Sequence, residues 1–220
     1  MGAGVTGIEV FVEAGKRRVF ASALDWPGWA RSGKTEELAL ESLAGYLPRY
    51  VPVLRRAGLR PPAGDLVIVE RFPGVAKNAD FGALGEIAAS ETRPLAPDQG
   101  SRLAALLEAA WAAFGETAAA APAVLRKGPR GGGRDTVQIV EHVAGAEDMY
   151  ARKIGLPRDK TTQASSDGAV LLRARIAAAL RAPEALVTPP NGWPPRYAAR
   201  RLAWHVLDHL WEIEDKSEPA

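Results

Sequence analysis

The chain has 220 residues, of which 47% are hydrophobic, and its 28 basic and 26 acidic side chains give a formal net charge of +2. These proportions are typical of globular domains and exclude a largely disordered chain. The near balance of charge predicts no strongly basic face, so nucleic acid is not an expected partner. Cysteine is absent, which excludes disulfides, thiolate metal sites and a cysteine nucleophile.

The ends and the apolar stretches of the sequence bear on its location. The N-terminal segment MGAGVTGIEVFVEAG lacks the basic stretch and long apolar run of a signal peptide. The alanine-rich stretch from Ala104 to Ala121 contains Glu108 and Glu116, so it is typical of a packed helix and not of a membrane span. We therefore expect a cytoplasmic protein without a membrane partner.

Residues 1–75 predict a small α+β domain with the element order β-β-β-α-β. Ile8, Val10 and Val12 alternate with Glu9, Phe11 and Glu13, which is the period of a half-buried strand. Two further strands, a helix and a last strand follow, at residues 18–24, 28–31, 36–54 and 65–70. Thr35 is the predicted cap of the helix, which we expect to bend near Pro48.

Residues 76–97 show little periodicity and read as a linker or docking segment. Residues 98–220 then carry four amphipathic patterns and no strand pattern, which predicts an all-α antiparallel four-helix bundle. We expect its helices to start near Asp98, near Asp135, near Asp167 and after Pro195. The third helix should bury Val170, Leu171, Ile176 and Leu180, and the second should turn Met149 inward.

The three histidines of the chain fall on these predicted helices. His205 and His209 are four residues apart, which places both rings on one helix face, and His142 lies on the apolar face of the second predicted helix. Facing helices of a bundle are where such folds assemble metal sites. Three imidazoles would leave a position open for water or substrate, as in catalytic sites.

Two ordinary explanations compete with a metal site. A histidine on an apolar face is more often a hydrogen-bonded core residue, and an H-x-x-x-H pair is common by chance. The inward placement of all three histidines favours metal binding. Imidazole suits zinc, nickel, iron or copper, and we expect zinc or nickel.

The segments RDTVQIVEHVAGAEDMYARKIG and WHVLDHLWEIEDK resemble the DinB-like superfamily, which includes mycothiol-dependent maleylpyruvate isomerases and bacillithiol transferases. The resemblance spans about Asp98 to Lys216. It implies a metal-dependent bundle, often dimeric, in which His142, His205 and His209 are the ligands. It further implies a low-molecular-weight thiol as co-substrate, so we expect a homodimer that acts on a small molecule.

The segment VFASALDWPGWARSGKTEELALESL resembles HicB-like domains, which often partner a small RNase toxin. The DNA-binding tail of full antitoxins is missing, so we expect an ancillary domain. The two large aromatic side chains Trp26 and Trp29 lie in a predicted turn of this segment. They indicate either a contact surface or packing against the neighbouring helix.

Four other features concern the candidate site. The glycine-rich loop before the second predicted helix carries Arg130 and Arg134, which could bind a substrate carboxylate, although a solvated loop is the simpler interpretation. Tyr150 is a candidate for the pocket mouth, or else a packing residue. Asp208, three residues after His205, is a candidate to orient an imidazole. Glu147 reads as a solvated surface acid.

The favoured hypothesis is a metal-dependent enzyme of thiol-dependent transferase or isomerase type. The alternative is a non-catalytic binding or regulatory module in which the HicB-like half contacts a protein partner. A third possibility is a homodimer whose metal has only a structural role.

Overall fold

The structure is a computed structural model and describes residues 7–128, 132–159 and 167–217. The chain divides into two compact units, an N-terminal unit of Met1–Pro94 and a C-terminal unit of Leu95–Ala220. The N-terminal unit contains a mixed sheet with helices, whereas the described elements of the C-terminal unit are all helical. The fold is therefore α+β followed by helices.

The sheet of the N-terminal unit has four strands in the order β3-β2-β1-β4. The strands are β1 (Ile8–Ala14), β2 (Val19–Ala23), β3 (Ala30–Gly33) and β4 (Leu66–Arg71). β1 pairs antiparallel with β2 and parallel with β4. β3 begins two residues later than its predicted start because Gly28, at φ 94°, still belongs to the preceding turn.

The predicted helix over residues 36–54 is present as two helices, α1 (Glu36–Gly45) and α2 (Leu47–Arg56). The side chain of Thr35 caps α1, as the sequence predicts. The helix is interrupted at Tyr46, just before Pro48, because proline has no amide hydrogen for the ladder and its ring clashes with the preceding turn.

The prediction that β1 is only half-buried is wrong, because both of its faces are covered. Phe11 and Glu13 are fully buried together with Val10. The Glu13 carboxylate accepts hydrogen bonds from the backbone amides of Gly85 and Glu86, at 2.8 and 3.0 Å. The predicted linker or docking segment thus contacts the sheet within the N-terminal unit. It contains a short helix α3 (Lys77–Asp80) and a 3-10 turn (Ala89–Thr92).

The turn before β3 packs against the helices of its own unit. Trp29 is 1% exposed, and its indole nitrogen donates a hydrogen bond of 2.7 Å to the carbonyl of Leu43 in α1. The ring of Tyr50 in α2 stacks on Trp29 at 6.0 Å, and its hydroxyl donates to the carbonyl of Pro27. Of the two interpretations of this aromatic turn, packing against the helices holds for Trp29.

The described part of the C-terminal unit contains four long helices: α4 (Pro97–Ala120), α5 (Thr136–Lys153), α6 (Gly168–Arg181) and α7 (Pro195–Ser217). A 3-10 turn (Pro183–Ala185) follows α6. α4 contacts α6 and α7, and α5 contacts the same two helices. Among the described residues, no helix is both long enough and apolar enough to cross a membrane.

A buried ion pair joins three of these helices, and it corrects the interpretation of Glu147 as a surface acid. Glu147 in α5 is fully buried. Its carboxylate accepts a hydrogen bond of 2.7 Å from Trp111 Nε1 in α4 and one of 2.9 Å from Arg173 Nε in α6. Burial raises the pKa of Glu147, and both partners oppose that rise. The polar partners allow a charged group to lie where the helical pattern places it inward.

Three predicted inward positions are exposed. Val170 and Leu171 lie in the first turn of α6 and are 64% and 47% exposed, whereas Ile176 and Leu180 further along are buried. Met149 in α5 is 52% exposed. The buried apolar residues of α6 therefore lie in its C-terminal half, where it approaches α4 closely. A Cβ atom on Gly100 of α4 would lie only 2.0 Å from the carbonyl oxygen of Leu180.

Candidate metal centre

The structure brings the three histidines together at the contact between α5 and α7. His142 lies on α5, and His205 and His209 lie one turn apart on α7. The two helices contact each other, so rings that are 63 residues apart in sequence become neighbours. Each histidine offers a ring nitrogen, and these three nitrogens lie within 4.8 Å of one another.

The shortest distance in this cluster matches the spacing of ligands on one ion. The Nε2 atoms of His142 and His205 are 3.2 Å apart. Two nitrogens on a tetrahedral zinc ion at the usual bond length lie about 3.3 Å apart. The ring of His209 meets the other two edge-on, with centroid distances of 4.9 Å to His142 and 4.7 Å to His205. The donor set is three imidazole nitrogens, which suits zinc, nickel or copper.

Burial favours the neutral form, which metal binding requires, in two of the three histidines, His142 and His205. His205 and His209 are 7% and 8% exposed, and His142 is half-buried. Burial, with the neighbouring histidines and arginines, lowers the pKa of His205 to about 2. Burial and the charge of Arg134 also lower the pKa of His142. Near neutral pH these two rings therefore carry a lone pair and no positive charge.

Glu212 orients the third histidine, and the sequence had not singled it out. Oε2 of Glu212 lies 2.6 Å from Nδ1 of His209, and Lys216 donates to its other oxygen. The hydrogen bond with His209, together with that from Lys216, lowers the pKa of Glu212 to about 2. An ionised carboxylate only accepts, so Nδ1 of His209 donates this hydrogen bond and Nε2 is the nitrogen left to face the other two histidines. A carboxylate behind a ligating imidazole is a common arrangement in metal sites.

The four weaker candidates from the sequence have different positions. Tyr150 is buried, and its ring meets that of His205 edge-on at 5.7 Å. Arg134 is exposed, and its charge reaches both His142 and His205. Arg130 lies outside the described residues. Asp208 does not orient His205, because Nδ1 of His205 has no hydrogen-bond partner among the described residues. The carboxylate that lies three residues after a histidine and bonds to it is instead Glu212, the partner of His209.

Aromatic rings extend from the histidines along α7. Tyr150 contacts Trp193 at 5.0 Å between ring centroids, and Trp193 contacts Tyr197 at the same distance. Trp204 lies 6.2 Å from His205. The cluster is thus bordered on one side by flat apolar surfaces, a setting that strengthens electrostatic interactions by excluding water.

Comparison of the chain with known proteins found no similar protein. No family model, no curated protein and no solved structure matches the chain. What this site does must be inferred from its own residues.

Proposed function

We propose that the C-terminal unit is an antiparallel four-helix bundle of the DinB-like type that binds one divalent metal ion through His142, His205 and His209. The observation that carries the proposal is the convergence of the three ring nitrogens to within 4.8 Å, from two different helices. A set of hydrogen-bonded core histidines would not need all three to point at one another. Zinc and nickel are the ions that we favour for an all-imidazole donor set.

The site is better suited to catalysis than to a sealed structural role. Three protein ligands leave a coordination position for water or substrate, whereas structural zinc sites have four protein ligands. His142 is only half-buried, so the cluster has a side that solvent can approach. When bound, a divalent ion supplies a Lewis acid that lowers the pKa of a coordinated water or thiol or polarises a carbonyl.

The protein's own residues would then have distinct tasks. His142 and His205 stay neutral because burial disfavours their charged form. Glu212 fixes the tautomer of His209, and Lys216 holds Glu212 in turn. Tyr150 lies against His205 and limits how that ring can turn.

We further propose an enzyme of thiol-dependent transferase or isomerase type, acting on a small molecule. The sequence resemblance of the two histidine-bearing segments supports this reaction class, and the absence of cysteine means that any thiol nucleophile would come from a bound co-substrate. A metal with a purely structural role is the competing proposal, and the half-exposure of His142 argues against it.

Metal analysis of the full chain tests the metal site. The protein should be purified without a polyhistidine tag, loaded with zinc, dialysed, and its metal content measured by mass spectrometry. We expect one zinc per chain in the natural sequence and loss of zinc in His205→Ala, because two ligands bind far more weakly than three.

Glu141→Gln is the matched control. Glu141 is exposed and adjacent to His142 in sequence, but on a helix it points about 100° away from it. This variant should keep its zinc. An unchanged metal content in His205→Ala would overturn the proposed site.

A further inference from the structure

A guanidinium group beside the histidine cluster has an N–H group without an acceptor. Arg201 lies one turn before His205 on α7 and is half-buried. Its Nη1 atom is buried, and no hydrogen-bond partner for it exists among the residues that the structure describes. Buried donors in folded proteins nearly always have a partner, so an orphan of this kind marks a place where a bound acceptor belongs.

Aromatic rings hold this guanidinium in place without using its N–H groups. The central carbon of Arg201 lies 4.7 Å from the ring centroid of Trp204 and 5.4 Å from that of Tyr150. Such cation–π contacts fix the position of a guanidinium while leaving its donors free. Tyr150 also contacts the ring of His205, so Arg201 is joined to the cluster through one shared side chain.

The charges around the cluster call for an anion. Imidazole side chains contribute no negative charge to balance a divalent ion. Arg134 and Arg201 both act on His205 as positive charges. The nearby carboxylate, Glu212, is already engaged by His209 and Lys216. A ligand that completes the site should therefore be negatively charged.

We propose that Arg201 is a substrate-binding residue that receives the carboxylate of a small organic acid bound next to the histidine-held metal ion. The planar fork of guanidinium donors matches the two oxygens of a carboxylate. This inference rests on the proposed function and adds to it the chemical class of the substrate.

The neighbouring rings indicate the body of this ligand. Tyr150, Trp193 and Tyr197 form a continuous row of aromatic contacts that starts at His205. Tyr150 and Tyr197 are buried and Trp193 is partly exposed, so Trp193 is the ring on which a flat apolar group can pack while its carboxylate meets Arg201. Benzoate is a suitable probe because it combines both features, and benzamide has the same shape without the charge.

Calorimetric titration of the zinc-loaded full chain with benzoate and with benzamide tests the assignment. We expect benzoate to bind the natural protein and Arg201→Gln to weaken that binding by about 10-fold or more, the loss that follows from removing a charged hydrogen bond. Benzamide should bind weakly to both proteins. The zinc content should be the same in both, because Arg201 is not a ligand.

Two further variants provide controls. Arg201→Lys keeps the charge but not the planar fork, so it should fold normally and show an intermediate affinity. Arg152→Gln removes an arginine whose side chain is 47% exposed and paired with Asp148, and it should bind benzoate as the natural protein does.

The outcomes separate the two proposals. If the natural protein retains no zinc, the proposed metal function fails, and the carboxylate site fails with it. If zinc is retained but Arg201→Gln binds benzoate as tightly as the natural protein, only the assignment of Arg201 is overturned. Tighter binding of benzamide than of benzoate would also overturn it.

Discussion

His205 is the residue whose surroundings differ most from those of a histidine in water. It is 7% exposed, it faces two other imidazoles, and its Nδ1 atom has no hydrogen-bond partner among the described residues. Every one of these surroundings disfavours a positive charge on the ring, which explains the direction of its pKa shift. The environment thus selects the form that binds metal, and it makes the metal-free protein sensitive to acid.

The metal-free protein should lose stability as the pH falls below that of an ordinary histidine. The pKa of His205 is about 2 in the folded state, against an ordinary value of 6.5 for histidine. Between these values the unfolded state binds a proton that the folded state does not, so acid favours unfolding. One such residue makes the protein about 1.4 kcal/mol less stable at about pH 5.5 than at about pH 7.5.

Urea unfolding in the presence of a chelator measures this effect. His205→Gln removes the titrating ring and should reduce the difference between the two pH values by about that amount. Glu141→Gln, exposed and outside the cluster, should leave the difference as it is in the natural protein. A pH dependence that is the same in His205→Gln would contradict this account of the buried ring.

Glu212 should control metal affinity through His209 without touching the ion. Removing an outer carboxylate from a metal-bound histidine lowers affinity by roughly 10- to 100-fold. We expect a loss of this size in Glu212→Ala and a smaller loss in Glu212→Gln, which keeps an acceptor oxygen. Competition with a colorimetric zinc chelator provides the measurement. Glu214→Gln, an exposed acid on the same helix, is the control, and an equal loss there would show a general charge effect instead.

At the scale of helices, the close approach of α4 to α6 depends on a glycine. Gly100 is buried, and a Cβ atom there would meet the backbone carbonyl of Leu180 at 2.0 Å. Gly115 lies on the same helix, is exposed, and has nothing within 4 Å of the equivalent position. The same substitution at these two positions should therefore have opposite effects on stability.

Thermal unfolding of the two alanine variants tests this difference. Gly100→Ala must push α4 away from α6, and overpacking of this kind costs about 1–3 kcal/mol. Gly115→Ala should stabilise the protein by about 0.5–1 kcal/mol, because alanine is the better helix former. If both variants unfold at the same temperature as each other, the tight contact between the two helices is not present in solution.

The positions of the helices in this chain were easier to predict than the burial of individual charged side chains. Helical periodicity and end signals located α4, α5, α6 and α7 to within a few residues, because these patterns are local. The burial of Glu13 and of Glu147 was not predictable in this way. Each depends on partners that are distant in sequence: the amides of Gly85 and Glu86 for one, Arg173 and Trp111 for the other.

In the candidate site, too, local spacing could be predicted from the sequence, whereas contacts between distant segments could not. The spacing of His205 and His209 places them on one face, but only the contact of α5 with α7 brings His142 to them. Glu212 follows from applying the three-residue helical spacing to His209, a local rule that the sequence could have supplied. Arg201 lies four residues before His205 on the same helix, a spacing that the sequence also shows. Only the structure, however, reveals that its Nη1 atom has no hydrogen-bond acceptor among the described residues.

At the scale of the molecule, the proposed metal ion ties together two helices that are far apart in the chain. The ligands come from α5 and α7; α5 also contacts α6, and α7 also contacts α4. Binding that requires the folded arrangement of both helices adds its free energy to the stability of the C-terminal unit. Loss of the metal ion should therefore lower the stability of the C-terminal unit, and unfolding of this unit should release the ion.

X-ray absorption spectroscopy of the zinc-loaded, untagged protein tests the central claim most directly. Imidazole ligands give a characteristic multiple-scattering pattern, and fitting it yields their number and distance from the ion. We predict three imidazole nitrogens at about 2.0–2.1 Å, with one or more further light-atom ligands. A spectrum with no imidazole scattering, or with a single imidazole among oxygen ligands, would show that the three histidines do not share an ion.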